Sequence, residues 1–427
     1  MRSCMWPLQI LAAAAAAAAV AAASRPAAVL SPVTRTGSTL LVDGKPWKAV
    51  GPNVYWLGLD ENVVPPEGEP YDPVTKSSYP AKGRITDVLA TVRALGGTMI
   101  RSHTLGISLG NPLSVMPVPG VVNDAAFASI DWAVYQAGQY GIRLMIPLID
   151  NFVRRNVVNG RVSLTSKIGL LPWGKYTFLR WAGFNLTQGA DATNPEIQQF
   201  YTNATIVAAF KDYIAKILTH QNPYTNQTYA EDPTIFAYET GNELLGPVWG
   251  DMDCPADWVA DIARVVKRLA PQKLFVDGTY GVNKTHLAID EVDVFSNHYY
   301  PVDTAKLQAD LDLVEGAGKA YFAGEYSWVG PDANGTKNMT AFFDIMEKST
   351  VAVGDAFWSL FGRNLPDCGS FVDHSDGFTL QYGNPANSEY TNHRIQLIRK
   401  HFLAMGQGTQ IAPDDDLPVV PCPAPAL

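Results

Sequence analysis

From residue 49 to residue 404 the chain alternates short apolar runs with stretches of helical spacing, and few folds accept that alternation at such length. Eight runs read as strands: 49–56, 98–102, 142–149, 235–238, 273–277, 292–297, 320–323 and 352–358. Helical spacing fills 85–95, 127–140, 197–220, 256–269, 304–315, 338–350 and 389–404. In the second of these, Ile130, Ala133, Val134 and Ala137 share one face, and Gly141 ends it. Alternating β and α units demand a parallel sheet with helices outside. Eight units favour a closed (β/α)8 TIM barrel over an open doubly wound sheet. No G-x-G-x-x-G follows a strand, which removes the usual sign of a dinucleotide fold. The expected fold class is therefore α/β, one catalytic barrel over residues 24–405.

The ends of the chain read differently. Arg2 precedes an alanine-rich run over 10–23, and Ala21-Ala22-Ala23 before Ser24 offers a small-residue cleavage site. Residues 1–23 are expected to be a signal peptide, which makes the protein secreted and extracellular. No second run of about 20 apolar residues exists, so no membrane partner is expected. Residues 406–427, rich in Pro and Asp, read as a disordered tail. Asp43-Gly44 between apolar runs signals a hairpin of the sort that plugs a barrel bottom. An insertion over 150–195 holds Trp173 and Trp181 and is expected to be ordered. After signal removal Cys254, Cys368 and Cys422 remain, and export permits one bridge. Cys254–Cys368 is the favoured pair, both falling in loops after strand ends, though spacing does not decide among the three. N-x-[ST] sequons stand at Asn185, Asn203, Asn226, Asn283, Asn334 and Asn338 and fit a glycoprotein on a eukaryotic secretory route.

Net charge narrows the partner. The formal charge is −9 and no basic stripe appears, which argues against nucleic acid. A neutral polysaccharide fits better, and a monomer is expected. In a barrel of this kind chemistry sits at the carboxyl ends of the strands. The polar residues there are Asn53, Arg101, His103, Asp150, Asn242, Glu243, His298 and Glu325, joined by Trp358. Glu243 and Glu325 each follow an apolar strand, and such a pair is what glycoside cleavage needs. Glu243 is assigned as acid/base and Glu325 as nucleophile. Glu239 reads as a buried structural carboxylate. Tyr300 is placed to donate to Glu325, Arg101 to keep it ionised, and Asn242 to bond a sugar 2-hydroxyl. His298, His103 and Asn53 join the expected substrate-binding set. Trp358 and Trp56 are the expected sugar platforms, with Trp173, Trp181 and Trp249 as further candidates. No cofactor or metal is expected: H-E-x-x-H is absent, and Asp-His-Ser-Asp-Gly at 373–377 lacks the other ligands of a calcium loop. Nor does G-x-S-x-G occur.

The ordered set Arg101, Asn242-Glu243, His298, Tyr300, Glu325 and Trp358 resembles glycoside hydrolase family 5 of clan A. Asn53-Val54-Tyr55-Trp56-Leu57, the I-R-S-H-T-L-G segment at 100–106 and Gly241-Asn242-Glu243-Leu244 look most like its endo-β-1,4-mannanase branch. The resemblance covers about residues 40–403. It implies a (β/α)8 barrel with the acid/base on strand four and the nucleophile on strand seven. Three β/α units between Glu243 and Glu325 suit that placement. Two departures stand out: Leu244 where the family commonly has Pro, and Ser102-His103 where this branch often carries an aromatic. The implied activity is a secreted retaining endo-β-1,4-mannanase, a hydrolase of O-glycosyl bonds. The alternatives are a β-glucanase of the same family, a transglycosylase with the same intermediate, or a non-catalytic carbohydrate-binding barrel.

Overall fold

A computed structural model of the chain describes residues 30–151, 157–158, 161–162, 174–186, 194–244, 254–330, 338–365, 368–407 and 417–423. The expected signal segment, Trp173, Trp249 and the Asn334 sequon lie outside the described residues.

All eight expected strands are present: β1 (Ala49–Pro52), β2 (Met99–Arg101), β3 (Arg143–Pro147), β4 (Ile235–Glu239), β5 (Leu274–Asp277), β6 (Val294–Tyr299), β7 (Ala320–Ser327) and β8 (Ala352–Trp358). They form one sheet in the order β1-β8-β7-β6-β5-β4-β3-β2, with parallel pairing throughout. Its two ends meet. The Thr98 N–H donates to the Val50 carbonyl at 2.8 Å and the Val54 N–H to the Arg101 carbonyl at 3.0 Å. Closure leaves no free edge. Around the barrel lie α1 (Lys82–Ala94), α2 (Phe127–Gln139), α3 (Ala204–Thr219), α4 (Ala256–Leu269), α5 (Thr304–Gly316), α6 (Met339–Lys348) and α7 (Glu389–Gln407). The helix expected over 197–220 is broken. A 3-10 turn, Pro195–Gln198, and a short helix, Gln199–Thr202, end at Asn203, whose carboxamide oxygen caps α3 through the Thr205 N–H at 3.0 Å. Asparagine is among the best N-cap residues, so the break falls where the side chain can satisfy an orphan donor.

Strand alternation sorts the core into two layers. Ala49, Met99, Met145, Phe236, Leu274, Val294, Ala320, Phe322 and Val353 fill the barrel interior. Their neighbours Val50, Ile100, Leu144, Ile146, Phe275, Phe295 and Tyr321 face outward and pack with the helices. The expected hairpin is a three-stranded ladder, Val33–Thr36, Thr39–Val42 and Lys45–Trp47. Asp43 and Gly44 take φ of 50° and 72°, the positive values a tight hairpin turn requires. Val33 and Leu40 close the interior from below, and the Trp47 ring meets Phe236 edge-on at 5.2 Å.

Two expectations at the carboxyl end are corrected. The disulfide joins Cys368 to Cys422, with Cα atoms 6.1 Å apart, and not Cys254 to Cys368. Cys254 is buried behind the barrel wall, its carbonyl 2.9 Å from His286 Nε2. Nor are the described residues of the tail loose. Residues 417–423 lie on the barrel, with Leu417 and Val420 against the core. Arg363 donates to the Val420 and Pro421 carbonyls at 3.1 and 3.0 Å, and Tyr382 to that of Pro418 at 2.6 Å. No described helix is long and apolar enough to cross a membrane.

Candidate active site

The carboxyl ends of β2, β4, β6 and β7 bring the site together. Arg101 is the last residue of β2 and is 0 % exposed. Its guanidinium donates to Glu239 Oε2 and Glu325 Oε1, each at 2.8 Å, and to the side-chain oxygens of Asn242 and Asn53 at 2.9 and 3.0 Å. An arginine on an apolar strand needs such partners, since an unpaired buried charge costs several kcal/mol. Arg101 and Asn53 are therefore not substrate contacts, as the sequence suggested, but the frame behind Glu325. Asn53, itself 0 % exposed, also bonds the Gly324 carbonyl at 3.0 Å.

Glu325 would point outward if β7 kept strict alternation, since Ala320 and Phe322 point in. The pairing slips between Ala323 and Tyr326, and that irregularity turns Glu325 into the mouth. Tyr300 donates to its Oε2 at 2.7 Å, as expected from the sequence. Burial alone would raise the Glu325 pKa. The neighbouring His298 and His103 and the Arg101 guanidinium outweigh it and hold the carboxyl well below the usual range. In turn, burial and the Glu325 charge push the Tyr300 phenol well up, so it stays a proton donor. Gly324 has a steric reason: a Cβ there would lie 2.5 Å from Ser296 Oγ and 2.9 Å from His298 Nε2.

Glu243 sits past the end of β4 with φ of 50°, a left-handed value uncommon outside glycine. Its Oε1 is 2.6 Å from His298 Nδ1. One oxygen of each glutamate and a nitrogen of His298 lie within 4.8 Å of one another. Three such atoms are a conceivable metal trio, but the Arg101 guanidinium already supplies Glu325 with positive charge. Asn242 bridges the frame, taking Arg101 on its oxygen and donating from its amide to Asp150 Oδ1 at 3.1 Å. His103 is nearly buried, with Nε2 3.3 Å from Arg101 Nη1. Its 3.6 Å separation from Glu325 is too long for a hydrogen bond.

Trp358, at the end of β8, is half-buried and presents the one expected aromatic platform that the described mouth contains. Tyr55 stacks on it at 5.7 Å and 11°, His103 meets it edge-on at 5.4 Å, and Asp376 Oδ2 takes its indole N–H at 2.7 Å. Trp56 is a correction. It is 0 % exposed, stacked near Phe361 at 6.2 Å under the Arg84 guanidinium, with its N–H on the Leu360 carbonyl. Trp181 packs edge-on against Phe178 at 5.4 Å. Sequence reasoning missed Tyr55 and Asp376 as supports of the platform, and Tyr280. The Tyr280 ring lies 6.1 Å from that of His298, and burial with the Glu243 and Glu325 charges pushes its phenol up to about 12. Tyr55 stands in the Asn-Val-Tyr-Trp segment, where composition does not tell it from its neighbour. Asp376 belongs to the 373–377 segment, whose carboxylates by spacing suggest only a partial calcium loop.

Fold and site together define a (β/α)8 barrel with a buried carboxylate pair at its mouth and an aromatic floor beside it. Residues 33–303 match the model of the family described as GH family 5 beta-mannosidase-like, well over half of the chain. The chain belongs to that family. It is 25 % identical over 299 residues to the mannan endo-1,4-β-mannosidase 1 of Arabidopsis thaliana, covering 65 % of this chain and 62 % of that protein. To the mannan endo-1,4-β-mannosidase 3 of Oryza sativa subsp. japonica it is 28 % identical over 365 residues, 73 % of this chain and 68 % of the relative. The chain thus spans less than two thirds of the Arabidopsis relative. The fold is shared with the endo-β-1,4-mannanase of Thermotoga petrophila at a TM-score of 0.64 and 21 % identity, over 87 % of this chain and 79 % of that one. The endo-1,4-β-mannanase of Rhizomucor miehei gives 0.65 at 20 %, over 88 % and 99 %.

Proposed function

We propose that the protein is a retaining glycoside hydrolase that cleaves internal β-1,4 bonds of mannan, galactomannan or glucomannan. The observation that carries this reading is the separation of the two carboxylates, with oxygens within 4.8 Å in a chain of this family. Retaining enzymes hold their carboxyl groups about 5–5.5 Å apart, whereas inverting ones leave about 6.5 Å or more for a water. Glu325, ionised and oriented by Arg101 and Tyr300, attacks the anomeric carbon. Glu243 protonates the departing glycosidic oxygen. In the second half Glu243 takes a proton from water, which displaces Glu325 and restores both groups. Asn242 meets the 2-hydroxyl, and Trp358 stacks under a sugar ring. The mannan preference rests on the relatives' names, since the pair itself serves any β-glycan. Export from the cell is part of the proposal, supported by the alanine-rich amino-terminal run and by the Cys368–Cys422 bridge, which oxidising compartments sustain.

Incubation with linear mannan, galactomannan, carboxymethyl cellulose and a β-1,3-glucan tests this. Short manno-oligosaccharides, first released with the β anomer, are expected from the mannans alone. Glu325→Gln is expected to lose turnover by at least about 1,000-fold while keeping its circular dichroism. Glucan products would overturn the substrate, and an active Glu325→Gln the mechanism.

A further inference from the structure

On the flank of the barrel, α2 and the loop between α3 and β4 form an aromatic patch. Tyr224 stacks on Tyr135 at 5.2 Å and 18° and meets Trp132 edge-on at 5.4 Å, with Lys82 Nζ 4.6 Å from the centre of the Trp132 ring and 5.9 Å from that of Tyr224. Tyr224 remains 43 % exposed. Apolar area left in water gains from a group that covers it.

The loop itself offers one. Buried Asn222 anchors it, donating to the Asp131 carbonyl and accepting the Tyr224 N–H, both at 2.9 Å. Gln221 and Thr228 bridge its base, and the Asn226 N–H returns to the Asn222 carbonyl at 2.8 Å. Asn226 projects from the turn, exposed, with φ of 58°. Gln221 Nε2 holds its side-chain oxygen at 2.9 Å, which leaves the amide nitrogen as the outward end. Asn226-Gln227-Thr228 is a sequon, and Tyr224 stands two residues before it. Asn203, Asn283 and Asn338 differ: each is half-buried and uses its oxygen to cap a helix or turn.

We propose that Asn226 is an N-glycosylation site whose first N-acetylglucosamine packs against the exposed part of the Tyr224 ring. The sugar's C–H face covers the ring, and the turn holds the two together before the glycan arrives. The donor is a lipid diphosphate-linked oligosaccharide. The Asn226 nitrogen forms the bond to the anomeric carbon, the bond to the diphosphate oxygen breaks, the amide proton goes to base and the lipid diphosphate leaves. The site rests on the proposed export and not on the proposed reaction.

The full chain, Asn226→Gln, Tyr224→Ala and Tyr224→Phe are expressed in a eukaryotic secretory host. Enzymatic release of glycans in heavy-oxygen water marks each occupied asparagine for mass spectrometry. Marking of Asn226 in most molecules is expected. Deglycosylation is expected to lower the melting temperature of the parent and of Tyr224→Phe, and to leave that of Tyr224→Ala unmoved. An unmarked Asn226 overturns the site, and an equal shift in Tyr224→Ala overturns the stacking. If Asn226 is unmarked and Tyr224→Ala weakens binding to insoluble mannan, the patch holds substrate and the proposal fails. Mannan hydrolysis, read on the same preparations, is expected to be unchanged in Asn226→Gln, so failure of either reading shows separately.

Discussion

Arg101 serves four side chains at once, and its planar fork is what allows it. Donors at fixed angles reach Glu239, Glu325, Asn242 and Asn53 in one orientation. A lysine would keep the charge but reach fewer partners with a single ammonium. Arg101→Lys is therefore expected to cut kcat on mannan on the order of 100-fold or more, by loosening Glu325 rather than by unfolding the barrel. Steady-state kinetics beside a melting curve checks this; unchanged kcat would remove Arg101 from the positioning role. At this scale the sequence was informative wherever chemistry forbids a lone group. An arginine in Met-Ile-Arg had to find a carboxylate, and a buried Glu239 in an apolar strand had to be hydrogen-bonded to its neighbours. It was uninformative for aromatics, because Tyr55 and Trp56 satisfy the same composition from opposite sides of the chain. One supports the Trp358 platform, the other lies in the core.

Elements meet through buried polar groups as well as apolar faces. His401 on α7 lies between Asp355 of β8, 2.8 Å from Nε2, and Glu347 of α6, 2.8 Å from Nδ1. Burial alone would lower its pKa, but the Asp355 and Glu347 carboxylates raise it from 6.5 to about 9. A pKa raised on folding stabilises the fold fully below the ordinary value, and the gain is lost as pH rises through the folded one. Between about pH 6.5 and 9 the wild type is expected to lose on the order of 3 kcal/mol relative to His401→Gln. Urea unfolding of both proteins across that range measures it, and parallel curves would refute the coupling. Strand positions were legible from apolar runs alone. The slip in β7 that redirects Glu325 was not, since it depends on how that strand pairs with β8.

Across the whole molecule, the Cys368–Cys422 bridge ties the carboxyl-terminal segment to the loop after β8, closing 54 residues. A crosslink of that span restrains the unfolded chain, so Cys422→Ser is expected to cost about 2–4 kcal/mol. Denaturant unfolding with and without reductant tests this: the parent should fall to the level of the variant when reduced. The order of elements, the barrel, the amino-terminal hairpin and the two glutamates at strand ends followed from the sequence alone, because alternation, turn residues and strand polarity are local properties of the chain. Only the tertiary structure decided which cysteines pair, which of the described tryptophans lines the mouth and where residues 417–423 lie. Those outcomes depend on distances between segments far apart in sequence, which no local pattern encodes.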